Sequence, residues 1–175
     1  MRALFLILSI CFLAACGEAQ ELSTEADTTA NGETTGATSA EPEGPAPSAL
    51  APVANGACPD LSMAGTINWQ SAGVQRSVIT IYPTDMTDKM PLVFVWHPLG
   101  GNASMMVTYL QLQRFADQHQ AVIVVPDLRS GAQTWGFYGD PSYDLALYDD
   151  MRTCMSQQQD IDLYRVSTTG MSAGG

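Results

Sequence analysis

The sequence has few positive charges. Only 7 of its 175 residues are Lys or Arg, against 18 Asp and Glu, and the formal net charge is −11. The basic residues are scattered along the chain and form no cluster. Proteins that bind nucleic acids use such clusters to neutralise phosphates. The composition therefore argues against a nucleic acid as a partner.

The sequence also lacks a hydrophobic run long enough to span a bilayer. The apolar stretch over residues 3–12 follows Arg2 and is shorter than the roughly 20 residues of a transmembrane helix. This pattern is typical of an export signal. It ends in Leu13-Ala14-Ala15-Cys16, which resembles the lipobox where a bacterial signal peptidase cleaves and diacylglycerol is attached to the thiol. We predict a lipoprotein signal peptide over residues 1–15 and lipidation of Cys16.

Two other interpretations of this N-terminus remain open. The run is also compatible with an ordinary secretory signal cleaved near Ala15 or with a short membrane anchor. All three interpretations export the chain, either to the cell envelope or to the extracellular space. If Cys16 carries the lipid, the membrane is a partner of the protein, and Gly17 after the cysteine favours the outer membrane by resemblance.

The segment after Cys16 is poor in large apolar residues and has no basic residue. Residues 17–57 contain seven acids among Thr, Ala, Gly, Pro and Ser. Such a composition does not bury enough surface to fold. We predict a disordered, acidic tether over residues 16–57 and one globular domain over residues 58–175.

Cysteine is scarce, with four residues in the chain. Cys11 leaves with the predicted signal and Cys16 is the predicted lipidation site. Cys58 and Cys154 are then left in an oxidising compartment, where a disulfide is permitted. The alternative is two unpaired, small apolar side chains.

The domain is expected to belong to the α/β class. Continuous apolar runs are typical of parallel strands buried on both faces, and a period of 3.6 residues between them indicates crossover helices. One helix is predicted from a single apolar stripe formed by Met105, Tyr109, Leu112 and Phe115 or Ala116. The predicted elements are strands over 65–69, 74–83 and 92–96, a helix over 104–118, a strand over 121–125, a helix over 143–158 and a strand over 165–169.

The final predicted strand leads into the sequence Gly170-Met171-Ser172-Ala173-Gly174. A G-x-S-x-G sequence between a strand and a helix is typical of a nucleophile elbow. Only small residues at Gly170 and Gly174 allow the strand and helix to approach each other in this sharp turn. Ser172 is therefore the predicted catalytic nucleophile.

An acyl-transfer site also needs hydrogen-bond donors for the oxyanion. The amide of Ala173, directly after the nucleophile, is the first candidate. The second is the amide of Leu99, in the sequence His97-Pro98-Leu99-Gly100-Gly101, which resembles the oxyanion loop of esterases. Pro98 departs from that resemblance, because relatives usually have glycine there and proline has a fixed φ.

The loop over residues 129–143 is rich in glycine and aromatic residues. It follows a predicted parallel strand, where open sheets bind ligands. Trp135, Phe137 and Tyr138 are candidates for lining an apolar substrate pocket. Alternatively, the loop folds on its own aromatic side chains.

Taken together, the strand ending in Trp96-His97, the two glycines after it and the segment over residues 165–175 resemble secreted α/β-hydrolases. The similar group comprises polyhydroxybutyrate depolymerases and feruloyl or acetylxylan esterases, and the resemblance covers residues 66–175. It implies a doubly wound, mostly parallel sheet. It also implies hydrolysis of polyester or acyl and feruloyl polysaccharide esters through an acyl-enzyme, with no metal or cofactor.

Two rival functions remain open. One is a catalytically inactive surface lipoprotein that uses a hydrolase-like domain for binding, and the other is a serine peptidase of the same fold. In this fold the acid and the histidine of the triad follow the serine in the chain, whereas His97 and His119 precede Ser172. We therefore expect the chain to be the N-terminal half of the hydrolase domain and to be inactive by itself, with His97 in a structural role.

Overall fold

The computed structural model describes residues 46–54, 57–136 and 139–175. These residues belong to one compact unit that spans residues 40–175. The predicted signal peptide, Cys16, most of the predicted tether, Phe137 and Tyr138 lie outside the described residues. Within the described ranges, no helix has the length and apolarity needed to cross a membrane.

The described residues form five strands and three α-helices. Each of the five strands predicted from the sequence is present, with somewhat different ends. The elements are β1 Gly65–Ser71, β2 Val74–Ile81, β3 Met90–Trp96, α1 Ala103–Tyr109, α2 Leu112–His119, β4 Val122–Pro126, α3 Ser142–Gln158, β5 Ile161–Gly170 and a 3₁₀ turn at Ser172–Gly174.

The strands form one mixed sheet in the order β1-β2-β4-β3-β5. β1 and β2 make an antiparallel hairpin, and β2 also pairs antiparallel with β4. β3 is central to the parallel part, because it pairs in parallel with both β4 and β5. The carboxyl ends of these three strands therefore lie at one edge of the sheet, where open sheets place ligands.

The alternation of side chains on β3 and β4 divides the core between the two faces of the sheet. Leu92 and Phe94 pack on the face covered by α3, whereas Val95 packs on the face covered by α1 and α2. Every residue of β4 is buried. Strands covered on both faces read as continuous apolar runs, which explains the sequence of β4.

The prediction of one continuous helix over residues 104–118 is wrong, because the segment forms two helices. The segment forms α1 and α2, separated at Leu110 and Gln111, and Gln111 has a φ of 50° in the left-handed region. Because of this break, the two helices do not share the single buried apolar face that the sequence predicted. Met105 and Tyr109 are accordingly 38% and 69% exposed. The buried residues are Ala103, Met106, Leu112 and Ala116.

The end of the predicted tether contacts the domain. Arg152 of α3 donates hydrogen bonds to the carbonyl oxygens of Ser48 and Ala49, and Thr153 donates to Ala51 at 2.9 Å. Farther along, the Ala54 amide donates to Asp150 at 2.8 Å. The described residues 46–54 thus lie on α3, within the range predicted as tether. The composition of this segment indicated disorder. Its contacts with α3 are largely made by backbone carbonyl oxygens, which do not depend on the side chains of the segment.

Cys58 and Cys154 form a disulfide, with 5.4 Å between their Cα atoms. Cys154 is fully buried on α3. The bond joins residues 96 positions apart in the chain and attaches the start of the domain to the same helix that holds residues 46–54.

Candidate active site

The serine turn follows β5 directly. Gly170 pairs with Trp96 at the carboxyl ends of β5 and β3, and the Met171 amide donates to the Trp96 carbonyl at 3.2 Å. Met171 is still extended, whereas Ser172 has a φ of 52°. A non-glycine residue in this left-handed region is strained, and such strain is common at functional sites. The backbone of Ser172 thus has the sharp turn expected of a nucleophile elbow.

The two elbow glycines occupy positions that exclude a side chain. A Cβ on Gly170 would lie 1.9 Å from the Gly174 carbonyl oxygen, and a Cβ on Gly174 would lie 2.5 Å from that of Trp96. These neighbours are backbone atoms, so neither can rotate away. The sequence analysis expected both glycines where the strand and the following helix approach each other. In the structure, Gly170 lies against the backbone of Gly174, and Gly174 lies against the backbone of Trp96.

Ser172 is exposed at the end of the sheet. Its side chain makes no hydrogen bond with any residue in the described ranges. The following 3₁₀ turn is closed by the amides of Gly174 and Gly175, which donate to Met171 and Ser172. These bonds leave the Ala173 amide available to a ligand.

The second predicted donor lies in the loop after β3. The Gly101 amide donates to the Pro98 carbonyl at 2.9 Å, and Gly100 has a φ of 73°. This turn does not use the Leu99 amide, while the Leu99 side chain is 63% exposed. Pro98, the departure from the esterase pattern, supplies the carbonyl that closes the turn.

His97 is buried and bonded within its own loop. Its Nδ1 lies 2.8 Å from the Pro98 carbonyl oxygen, and a carbonyl oxygen only accepts, so Nδ1 carries a proton. Its Nε2 lies 3.8 Å from Asp127 Oδ1. Neither nitrogen bonds Ser172, so His97 has the structural position that the sequence favoured.

An apolar cavity of about 380 Å³ lies beside the elbow on the α3 side of the sheet. Ala173 and Gly174 contribute to its wall, but Ser172 does not. Aromatic and aliphatic side chains form most of the remaining surface. These lining residues include Trp96, Trp135, Pro141, Leu145 and Tyr148, and the polar side chains of Asp144 and Thr168 also line the cavity.

Trp135 is the one described member of the predicted aromatic loop set. It is buried, donates from Nε1 to the His97 carbonyl at 2.8 Å, and packs edge-on against Trp96 with ring centroids 5.0 Å apart. Trp135 therefore both lines the cavity and braces the loop after β3. The two interpretations of this loop are compatible at this residue.

Two of the acidic residues upstream of Ser172, Asp127 and Asp150, have structural partners. Asp127 Oδ1 accepts from the Ala103 amide at 2.6 Å, at the beginning of α1. Asp150 is buried and accepts from the Ser71 hydroxyl at 2.7 Å. Within the described ranges, no group of three His, Cys, Asp or Glu residues could hold a metal ion.

Sequence reasoning missed an ion pair behind the site, in which the cation is buried and the carboxylate is partly exposed. Arg76 on β2 is buried, and its Nη1 lies 3.0 Å from Asp144 Oδ1. Burial lowers the pKa of Arg76, while the nearby Asp144 carboxylate opposes that shift. The burial of Arg76 could have been predicted from the sequence. Arg76 lies two residues before the core residue Val78, so both side chains are on the same face of the strand.

No family model matches the chain, and no curated protein matches it significantly. Solved structures are similar. The protein pOPH is 15% identical with a TM-score of 0.54, and the similarity covers 67% of this chain and 46% of that one. The ester-hydrolase EH1AB1 from the Lake Arreo metagenome is 16% identical with a TM-score of 0.52, covering 67% and 37%. The poly(3-hydroxybutyrate) depolymerase LpqC from Bordetella parapertussis is 20% identical with a TM-score of 0.49, covering 64% and 44%.

The similarities to pOPH and EH1AB1 show that the described residues have the α/β-hydrolase fold. The fold class predicted from the sequence is therefore confirmed. The chain spans less than half the length of each of the three structures.

Proposed function

We propose that the protein is a serine carboxylester hydrolase with Ser172 as its nucleophile. One observation carries the proposal: Ser172 has a φ of 52° at the carboxyl end of a parallel strand, between two glycines that exclude a Cβ. This geometry presents a hydroxyl at the edge of the sheet, where the fold binds ligands. The left-handed φ alone does not distinguish Ser172, because Ala72, Lys89, Gln111 and Gln120 share it. Its combination with the two glycines at the end of the strand carries the proposal.

The reaction follows from the groups at the elbow. The Ser172 hydroxyl oxygen attacks the ester carbonyl carbon, its proton passes to a general base, and the carbonyl π electrons move to the oxygen. The amides of Ala173 and Leu99 donate to that oxyanion. The tetrahedral intermediate collapses, the alcohol leaves with the proton, and an acyl-enzyme remains. Water then attacks the acyl-enzyme by the same route and releases the acid and Ser172.

The proposed substrates are polyesters or acyl and feruloyl esters of polysaccharides. The support is the motif resemblance described above, together with the fold shared with an ester-hydrolase. The elbow and oxyanion loop act on any ester, so the neighbouring aromatic cavity is the feature that would select among acyl groups.

The 175-residue chain alone is proposed to be inactive. The nitrogen atoms of His97 face Pro98 and Asp127, and His119 ends α2 on the opposite face of the sheet from α3. Neither histidine is placed to accept the Ser172 proton. A hydroxyl without a base is a weak nucleophile, so turnover needs a histidine that these two do not supply.

Hydrolysis of p-nitrophenyl butyrate tests the proposal in the 175-residue chain and in the longest product of its gene. We expect turnover only in the longer product and its loss in Ser172→Ala. Ser167→Ala, on the exposed side of β5, is the matched control and should retain the rate. Equal rates for Ser172→Ala and the wild type would reject Ser172 as the nucleophile.

We also propose that Cys16 is lipidated and anchors the domain to the envelope, most consistently with the outer membrane. Mass spectrometry of the mature N-terminus should find an acylated Cys16, and Cys16→Ser should accumulate unprocessed. Cys11→Ser is the matched control, because that residue leaves with the signal. A free amine at any other residue would overturn the proposal.

A further inference from the structure

Arg76 is a buried cation that takes no part in the chemistry proposed above. Its guanidinium lies between the loop after β4 and the first turn of α3, at the carboxyl edge of the sheet. Nη1 contacts Asp144 Oδ1 at 3.0 Å, and Nη2 donates to the Asp127 carbonyl at 3.4 Å. Buried ion pairs are often no more stabilising than apolar side chains of similar volume. Stability alone therefore does not explain a charge at this position, and the contacts of Arg76 point to a role in positioning other residues.

One connection from Arg76 runs through Asp127. This residue follows β4, and its carboxylate accepts from the Ala103 amide at 2.6 Å. The same carboxylate oxygen lies 3.8 Å from His97 Nε2. Asp127 therefore holds the beginning of α1 and lies against the ring of His97, so it contacts both ends of the loop between β3 and α1.

A second connection runs through Asp144. Its Oδ1 faces Arg76, while its Oδ2 accepts from the Gly136 amide at 2.7 Å. The residue before Gly136 is Trp135, which donates from Nε1 to the His97 carbonyl at 2.8 Å. The two connections thus leave Arg76 in different directions and meet again at His97.

His97 begins the loop that carries Leu99, and it also contacts the elbow. A Cβ built on Gly174 would lie 2.7 Å from the His97 carbonyl oxygen, so the loop and the elbow are packed backbone against backbone. A shift of His97 changes the position of the Leu99 amide relative to the Ala173 amide. Oxyanion donors act only when they are preorganised around the developing charge.

We infer that Arg76 is a positioning residue, which acts through Asp127 and Asp144 to hold His97 and thereby aligns the Leu99 amide with the Ala173 amide. The inference rests on the proposed function, because it assigns the purpose of the alignment to an oxyanion. Arg76 itself touches neither the nucleophile nor the cavity. Its effect should therefore appear in the chemical step and not in substrate binding.

The test uses the full-length protein with Arg76→Met combined with Asp144→Asn. This pair removes both charges together, and the side-chain oxygen of the substituted amide can still accept from the Gly136 amide. The matched control removes the Arg165–Asp162 pair, whose cation is 51% exposed, by Arg165→Met with Asp162→Asn. Arg76→Lys provides a second variant, because a single ammonium keeps the charge but not the fork that contacts two partners.

Two readouts separate the inference from the proposed function. Backbone amide exchange in residues 97–103 is read at Gly101 and Ala103, whose amides donate to Pro98 and Asp127, and it requires no activity. We expect faster exchange in the Arg76 variants, while the control matches the wild type. Ester hydrolysis should show kcat lower by about tenfold to a hundredfold, the range caused by small misplacements. The KM is read in Arg76→Lys, which leaves the cavity-lining Asp144 in place, and it should change by less than about threefold, because uniform binding is intact.

Exchange of residues 97–103 at the wild-type rate in folded Arg76 variants would overturn the inference. An equal loss of kcat in the control pair would do the same, since it would show a general effect of removing charge. If the wild-type protein hydrolyses no ester, the proposed function fails, and the exchange readout still decides whether Arg76 positions the loop. If the double variant does not fold, Arg76→Lys decides by the same two measurements.

Discussion

At the scale of single residues, the elbow depends on glycines that face backbone atoms. A Cβ on Gly174 would meet the carbonyl oxygens of Trp96 and His97 at 2.5 and 2.7 Å. By contrast, a Cβ on Gly139 would meet nothing within 4 Å. The sequence does not distinguish these two glycines, because the difference arises from segments distant in the chain.

Gly174→Ala should lower the free energy of unfolding by about 1–3 kcal/mol, the usual range for overpacking. The methyl group forces β3 and the elbow apart, so the esterase rate should fall as well. Gly139→Ala is the control and should be neutral or slightly stabilising, because alanine restricts the unfolded chain. Urea unfolding of both variants checks this, and equal midpoints would contradict the packing described for Gly174.

A second residue-scale prediction concerns acid stability. The Thr84 amide donates to Asp117 at 2.7 Å, which lowers the pKa of that carboxyl below its ordinary value. A carboxyl with a lowered folded pKa stabilises the fold above its unfolded pKa of about 3.9. This contribution is lost as the pH falls through the folded value. The interaction connects the segment before β3 to α2.

Asp117→Asn should therefore reduce the difference between the urea midpoints measured at pH 7 and at pH 3. The change should come mainly from a lower midpoint at pH 7. Asp85→Asn is the matched control, because Asp85 is exposed and makes no hydrogen bond with another described residue. An unchanged pH dependence in Asp117→Asn would contradict a role for the Thr84 contact.

At the scale of elements, the hydrophobic periodicity of the sequence predicted the strands. It did not predict the break between α1 and α2 or the distant partner of Arg76, which depend on tertiary contacts. The strands β3 and β4 were predicted because burial on both faces leaves an apolar run. The division of α1 from α2 was not, since both halves have helical spacing and only the left-handed Gln111 separates them. The position of Arg76 on the core face was visible in the alternation of β2, but its partner Asp144 lies 68 residues away.

The disulfide is the strongest single restraint on α3. Because Cys58 and Cys154 are 96 residues apart, the bond removes much conformational entropy from the unfolded chain. Cys58→Ser should lower the free energy of unfolding by about 2–4 kcal/mol. Dithiothreitol should bring the wild type to the same urea midpoint and leave the variant unchanged. A variant that is as stable as the oxidised wild type would contradict this contribution.

At the scale of the whole molecule, the sheet class was predictable and the strand order was not. Apolar runs separated by helical spacing indicated the α/β class, and the resemblance to α/β-hydrolases implied a doubly wound sheet. However, the placement of β4 between β2 and β3 depends on how the strands pack against one another. The local sequences around Ile123 in β4 and Val93 in β3 do not encode this order. The same order leaves β5 at the end of the sheet, where it pairs only with β3 among the described strands.

The open side of β5 is the basis of the last prediction. Its outward residues are largely exposed, with Tyr164 at 65%. An unpaired strand edge is a template for pairing with another chain, and the apolar cavity beside Thr168 adds surface that favours contact. We therefore expect the 175-residue chain to self-associate through β5 as its concentration rises.

Sedimentation velocity of the 175-residue chain should show larger species at higher concentration. Ser167→Lys with Thr169→Lys should restore the monomer, because two added charges on the exposed strand oppose edge-to-edge pairing. Ser104→Lys with Gln118→Lys adds the same charge to exposed positions on α1 and α2, and this control should associate as the wild type does. Equal dissociation by both pairs would show that net charge, and not the β5 edge, controls association. A wild-type chain that remains monomeric throughout would show that the residues around β5 protect the edge.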